Sequence, residues 1–252
     1  MRVLITGSTG FLGRQLAVNM ACRHEVYALV RRRTANLPAN VEQIEQDFCH
    51  PLMLDALPRR IDAVIHLAQS LRYREFPDGA ADLLSVNVCA TGALLDYAVA
   101  SGARSFILAS SGSVYPSTCD NLEERTSLAP EGYYAASKYA AELLAVPYRQ
   151  TLSVCILRPF FLYGPGQQSD RMIPALRKRI HSNQAVTLDG NGDGMILSPT
   201  HVNDAARVFQ AAAEGAWNGL ARKEWRACML TLHEGHSDDG FRDEEVHRGF
   251  QT

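Results

Sequence analysis

The sequence contains no C-x-x-C pair. Its six cysteines, Cys22, Cys49, Cys89, Cys119, Cys155 and Cys228, are scattered without regular spacing, which argues against both a disulfide frame and a zinc site. Reduced thiols in a cytosol are the expectation. There is no charged leader, no cleavable apolar segment and no uninterrupted apolar stretch long enough to span a bilayer, so a cytoplasmic protein without membrane contact is expected. Basic excess is also absent: 25 Lys and Arg face 27 Asp and Glu, a net charge of -2, and nothing in that balance attracts nucleic acid or anionic lipid. No internal repeat and no low-complexity linker divides the chain. Its 252 residues, 46% hydrophobic and 21% charged, suffice for one large core with appended elements.

Short apolar runs recur at residues 2–6, 26–30, 41–46, 63–68, 105–109 and 154–157, as strands buried on both faces require. Between them, residues 80–100 and 133–146 carry apolar residues at helical spacing, and Phe11, Leu12, Leu16 and Met20 do the same over 10–21. This alternation predicts an α/β fold with a parallel, doubly wound sheet and right-handed crossovers. The texture changes after Pro165. Residues 166–201 are polar and include Gly190, Gly192 and Gly194, and a further helical pattern runs over 202–213; a small lobe over the carboxyl edge of the sheet is expected there. From about Lys223 little apolar period remains, and a poorly packed or atypical tail is expected over 223–252. Its His233, His236 and His247 read as incidental, and no metal is expected.

Thr6-Gly7-Ser8-Thr9-Gly10-Phe11-Leu12-Gly13 joins the first strand to the first helix. Glycines at this spacing supply a tight turn, close backbone approach to phosphate and close helix packing, and the helix N-terminus favours an anion. A dinucleotide is therefore expected, with its pyrophosphate over the turn. The second strand ends at Val30, where a carboxylate would have favoured NAD; Arg31 and Arg32 follow, and their guanidinium donors suit a 2′-phosphate. NADP is accordingly preferred, with NAD open, while the competing reading leaves these arginines in a solvated loop. Asp47 is a candidate acceptor for the adenine amino group or, alternatively, a helix cap before Pro51.

Tyr134 and Lys138 stand four residues apart on a predicted helix, which puts phenol and ammonium on one face, with Tyr133 one step off it. Bringing a phenol from its usual pKa of about 10 towards 7 takes roughly 4 kcal/mol of preferential phenolate stabilisation. The Lys138 ammonium and a positive nicotinamide ring would supply it. Ser110 to Ser113 emerge at the end of the 105–109 strand, and Ser111 is the candidate for orienting a substrate oxygen.

Taken together, these segments resemble the extended short-chain dehydrogenase/reductase family, the NAD-dependent epimerase/dehydratase group. The resemblance spans roughly residues 1–215 through Thr6–Gly13, Asp62–Ala68, Asn87–Thr91, Ser110–Tyr115, Tyr134–Lys138 and Arg158–Gly166. It implies a Rossmann-type dinucleotide-binding domain over 1–165, a small and incomplete substrate lobe interleaved with the last sheet elements over 166–222, and then the tail. It further implies Tyr134 as acid/base, Lys138 on the nicotinamide ribose, Ser111 assisting, and cofactor contacts at Gly7, Thr9, Gly10, Phe11, Leu12, Gly13, Asp47, Phe48, Leu67, Ala68 and Asn87.

By the same resemblance the protein is an NAD(P)-dependent epimerase or reductase of a sugar nucleotide, and a homodimer through the helices at 80–100 and 133–148. Two departures qualify this. Phe161 stands where the family often has Asn, and Leu197 where it often has Arg, which keeps a non-nucleotide carbonyl substrate open; Arg171, Arg177 and Lys178 could replace the lost polar contacts or form a solvated basic face. Ser113 and Val114 stand where dehydratases usually carry an acidic pair, which favours epimerisation or reduction. The atypical tail leaves room for a dinucleotide-binding protein with impaired catalysis.

Overall fold

The computed structural model describes residues 1–117, 122–186 and 197–215, and the backbone of 226–230. In strand β1 (Arg2–Thr6), Val3 and Ile5 enter one apolar cluster and Leu4 another, and all three are fully buried. A strand covered on both sides needs apolar residues at successive positions, which explains the continuous runs in the sequence. Helix α1 (Phe11–Ala21) leads to β2 (Glu25–Val30), β3 (Val41–Glu45) and β4 (Ala63–His66). Next come α2 (Ala80–Leu83), a π-helical stretch (Leu84–Cys89) and α3 (Ala90–Ala100), then β5 (Ser105–Ala109), α4 (Gly132–Ala145) and β6 (Ser153–Pro159). The described chain ends with β7 (Phe161–Tyr163), α5 (Met172–His181), β8 (Pro199–His201), α6 (Val202–Glu214) and β9 (Arg226–Leu230).

Seven strands form one parallel sheet in the order β3-β2-β1-β4-β5-β6-β9, and β7 and β8 make a separate parallel pair. One face is covered by Leu16, Ala17 and Met20 of α1 with Ala205, Ala206 and Phe209 of α6. The other is covered by Leu94, Leu95 and Ala98 of α3 with Ala141 and Ala145 of α4. The doubly wound α/β architecture expected from the sequence is thus the one observed. Among the described residues, Ala80–Ala100 is the one helix long and apolar enough to cross a membrane, and half of it is buried inside the fold.

Residues 226–230, within the stretch expected to be poorly packed or atypical, hydrogen-bond along β6 in the register Cys155↔Arg226 to Pro159↔Leu230. Ladder formation uses backbone groups, so an absent apolar period does not exclude it. In the 166–201 segment, α5 has no buried residue, although Met172, Leu176 and Ile180 recur every fourth position along it. Residues 187–196, with Gly190, Gly192 and Gly194, and 231–252, with His233, His236 and His247, lie outside the described residues.

Candidate active site

Strand order reverses between β1 and β4, and their carboxyl ends meet in register at Thr6 and His66. A crevice at such a reversal is where open α/β sheets take their ligands. Gly7 turns the chain there with φ at 68°, and a Cβ on it would stand 2.7 Å from the Ala68 amide nitrogen. A Cβ on Gly13 would stand 2.1 Å from the Gly7 carbonyl oxygen, so α1 starts closer to the turn than any side chain permits. Gly10 caps α1 without a side-chain hydrogen bond, which leaves the first helical amides to face an anion. Thr9 is exposed here, while Phe11 and Leu12 are half-buried in the first helical turn. Ser8 Oγ is buried with no hydrogen-bond partner. An uncapped helix N-terminus, a turn without Cβ atoms and an unpaired hydroxyl together fit a pyrophosphate.

Beyond β2, Arg31 and Arg32 are exposed. Asp47 Oδ1 accepts from the Cys49 amide at 3.0 Å, so it caps its own turn; the next helical residues begin only at Leu54. That bond, helped by the charges of His50 and Arg31, holds the Asp47 carboxyl below its ordinary range. Phe48 is buried, with its ring edge-on to His66 at 6.2 Å, so its side chain belongs to the core.

Behind the crevice, one hydrogen-bonded path links the glycine turn to α4. The Ala68 amide donates to Thr6 Oγ1 (3.1 Å), which bonds His66 Nδ1 (2.7 Å), while His66 Nε2 bonds Thr91 Oγ1 (3.0 Å) and that hydroxyl donates to the Asn87 carbonyl (2.7 Å). Because each hydroxyl has one hydrogen, this order makes His66 a neutral Nε2–H tautomer. Burial and the Lys138 charge push its pKa down to about 3. Asn87 Oδ1 accepts from the Ser70 amide (2.9 Å) and Nδ2 donates to Ser137 Oγ (2.9 Å), which donates to the Tyr134 carbonyl (2.7 Å). Asn87 is therefore buried with both ends of its amide engaged by protein.

Tyr134 is half-buried, and its hydroxyl donates to Gln69 Oε1 at 3.0 Å. Burial pushes the phenol up to about 12, and the Ser111 hydrogen bond pulls the other way. Lys138 is buried one turn further on; burial pushes its ammonium down to about 8, against the attraction of Glu142. The one downward influence on the phenol in the described structure is the Ser111 hydrogen bond. Desolvation is the largest influence on both groups. Ser111 Oγ also accepts from the Ser113 amide and hydroxyl, at 3.2 and 2.8 Å.

Several residues here escaped the sequence reading. Gln69 follows the recognised Leu67-Ala68 segment with no spacing signal of its own. Tyr73 packs its ring 5.5 Å from Tyr134 and accepts from Arg171 Nη1 at 2.5 Å, so Arg171 reaches the crevice, whereas Arg177 and Lys178 are exposed. Glu142, four residues after Lys138, pairs with Arg158 inside the core at 2.6 Å and accepts from Ser110. Tyr133 turns away to stack on Phe76 at 5.2 Å.

Residues 3–226 match the model of the NAD dependent epimerase/dehydratase family. The dTDP-glucose 4,6-dehydratase of Streptomyces niveus is 27% identical over 239 residues, which cover 87% of this chain and 70% of that protein. A dTDP-D-glucose 4,6-dehydratase of Mus musculus is 28% identical, covering 76% of this chain and 59% of its own length. GDP-6-deoxy-D-mannose reductase of Pseudomonas aeruginosa is 32% identical over 71% of this chain and 58% of that protein. Among solved structures, MoeE5 in complex with UDP-glucose and NAD has a TM-score of 0.75 at 29% identity, covering 92% of this chain and 76% of that one. This chain thus spans between about three-fifths and three-quarters of the length of these proteins.

Proposed function

We propose that this chain, which belongs to the NAD dependent epimerase/dehydratase family, is an NAD(P)-dependent epimerase or reductase of a sugar nucleotide. The observation that carries the reading is the hydrogen-bonded path from Thr6, at the phosphate-type turn, to the Tyr134 carbonyl, which ties the turn to the helix that carries the phenol. Substrate chemistry comes from the relatives: dehydratases of dTDP-glucose, a reductase of a GDP-sugar and a structure holding UDP-glucose.

Gly7 to Gly13, with Leu67 and Ala68, would hold the dinucleotide, which would supply the hydride acceptor and donor when bound. Tyr134 exchanges a proton with the oxygen of the reacting carbon, and Ser111 orients that oxygen. Protonated at rest, Tyr134 is poised to give its proton in the reducing direction. In the oxidising direction it takes one, and the Lys138 ammonium, charged at neutral pH, stabilises the phenolate. Asp47 and Phe48 border the adenine end through their backbone, and Asn87 acts by holding Ser70 and Ser137. Arg31 and Arg32 favour NADP; the NAD bound in MoeE5 keeps NAD open.

Exposed Leu84 and Val99 on the 80–100 helix, with Leu143, Leu144 and Val146 at the end of α4, support a homodimer through these helices. A cytoplasmic location accords with this chemistry. Phe161, half-buried in β7, favours as a second reading the reduction of a carbonyl compound without a nucleotide.

Fluorescence titration with NADH and NADPH, followed by turnover assays with UDP-, GDP- and dTDP-sugars, tests the proposal. Tyr134→Phe retains dinucleotide binding and loses turnover. Binding of neither dinucleotide, or undiminished turnover in that variant, overturns it.

A further inference from the structure

Gln69 is exposed, yet its direction is set. The residue before it is tied to Thr6 through the Ala68 amide at 3.1 Å, and the residue after it to Asn87 through the Ser70 amide at 2.9 Å. Held at both flanks, the side chain reaches the Tyr134 hydroxyl and accepts its hydrogen at 3.0 Å. The Tyr73 ring, 5.5 Å from that of Tyr134 and bonded to Arg171, forms an adjacent wall.

A primary amide carries an acceptor and two donors on one planar group. In the resting site the phenol uses the acceptor. When a substrate oxygen takes that hydrogen, the amide remains one hydrogen-bond length from the phenol, beside the carbon next to the reacting one. We propose that Gln69 is a specificity-determining residue that binds a hydroxyl vicinal to the reacting carbon, an inference that rests on the sugar-nucleotide reading above. In a hexose ring reacting at C4, that hydroxyl is on C3, because C5 carries the ring oxygen. A hydroxyl there accepts from Nε2 and donates to Oε1; a methylene there covers the amide without pairing it, which selects against substrates lacking the diol.

The test compares UDP-glucose with its 3-deoxy analogue in the wild type and in Gln69→Leu, which keeps the bulk and removes the hydrogen bonds. Wild type prefers UDP-glucose by about tenfold or more in kcat/KM, chiefly through KM. Gln69→Leu brings the two substrates to within about twofold, while its affinity for NADH is unchanged. Retention of the full preference in Gln69→Leu overturns the inference and leaves the proposed function standing. A readout independent of activity is the Tyr134 Cζ resonance of 13C-tyrosine-labelled protein, assigned by its loss in Tyr134→Phe. It moves in Gln69→Leu, and an unmoved resonance also overturns the inference. Failure to turn over any sugar nucleotide, with the resonance moved, overturns the reading of the substrate and with it the vicinal-hydroxyl role.

Discussion

Glu142 receives two arms of the Arg158 guanidinium inside the core, Nε at 2.9 Å and Nη2 at 2.6 Å, with the two side chains 2% and 0% exposed. The third arm, Nη1, donates to the Tyr115 hydroxyl at 2.6 Å, and Ser110 completes the carboxylate. The pair thus joins α4, which carries Tyr134 and Lys138, to β6 and to the serine-rich end of β5. Glu142→Leu leaves the guanidinium buried without its counter-charge, and a loss of about 3–5 kcal/mol is expected by urea denaturation. Adding Arg158→Met recovers most of that loss, because the cost lies in the orphaned charge.

Stability falls in mild acid through His66. Its folded pKa of about 3 lies below the unfolded value near 6.5, so the unfolded chain binds the extra proton first. The contribution of this group is complete above pH 6.5 and declines by about 1.4 kcal/mol per pH unit below it, down towards pH 3. Thermal melts between pH 7 and pH 5 on wild type and His66→Phe measure this. The variant is less stable at pH 7, since Thr6 and Thr91 lose their partner, and shows a shallower pH slope.

Two glycines in helices give opposite outcomes. Gly13→Ala puts a Cβ 2.1 Å from the Gly7 carbonyl and is expected to abolish NADH binding by fluorescence titration. At Gly92, in α3, nothing lies within 4 Å of an added Cβ. Gly92→Ala raises stability by about 0.5–1 kcal/mol through helix propensity and leaves binding unchanged.

The double variant Arg31→Ala with Arg32→Ala separates the cofactors. If these guanidiniums meet a 2′-phosphate, NADPH affinity drops by tenfold or more, at about 1.5–3 kcal/mol for a charged hydrogen bond, while NADH affinity changes little. Equal changes for the two dinucleotides leave the arginines as a solvated loop.

The sheet and the turn were legible because their causes are local: Val3, Leu4 and Ile5 face two layers at once, and Gly7 and Gly13 stand where no Cβ fits. Tyr134 and Lys138 were legible as a helical pair. Gln69 and Glu142 were not, because their partners, Tyr134 and Arg158, are 65 and 16 residues away and become neighbours only through the fold. The burial that raises the Tyr134 phenol and lowers the Lys138 ammonium was not legible for a similar reason, since a sequence shows charges at their spacing and hides the desolvation each one meets. Strand β9 escaped because its ladder is made by peptide groups, which every residue type carries.

The π-helical stretch at Leu84–Cys89 lets one rod serve two phases. Before and within it, Asp82 and Asn87 bond the Ser70 loop; after it, Leu94 and Leu95 are turned to the sheet. A wider turn absorbs an additional residue, and its removal would restore the ordinary pitch and twist one end by about 100° against the other. Shortening this segment by a single residue would therefore misalign either the polar bracket or the hydrophobic seam, so the fold depends on its length as much as on its composition.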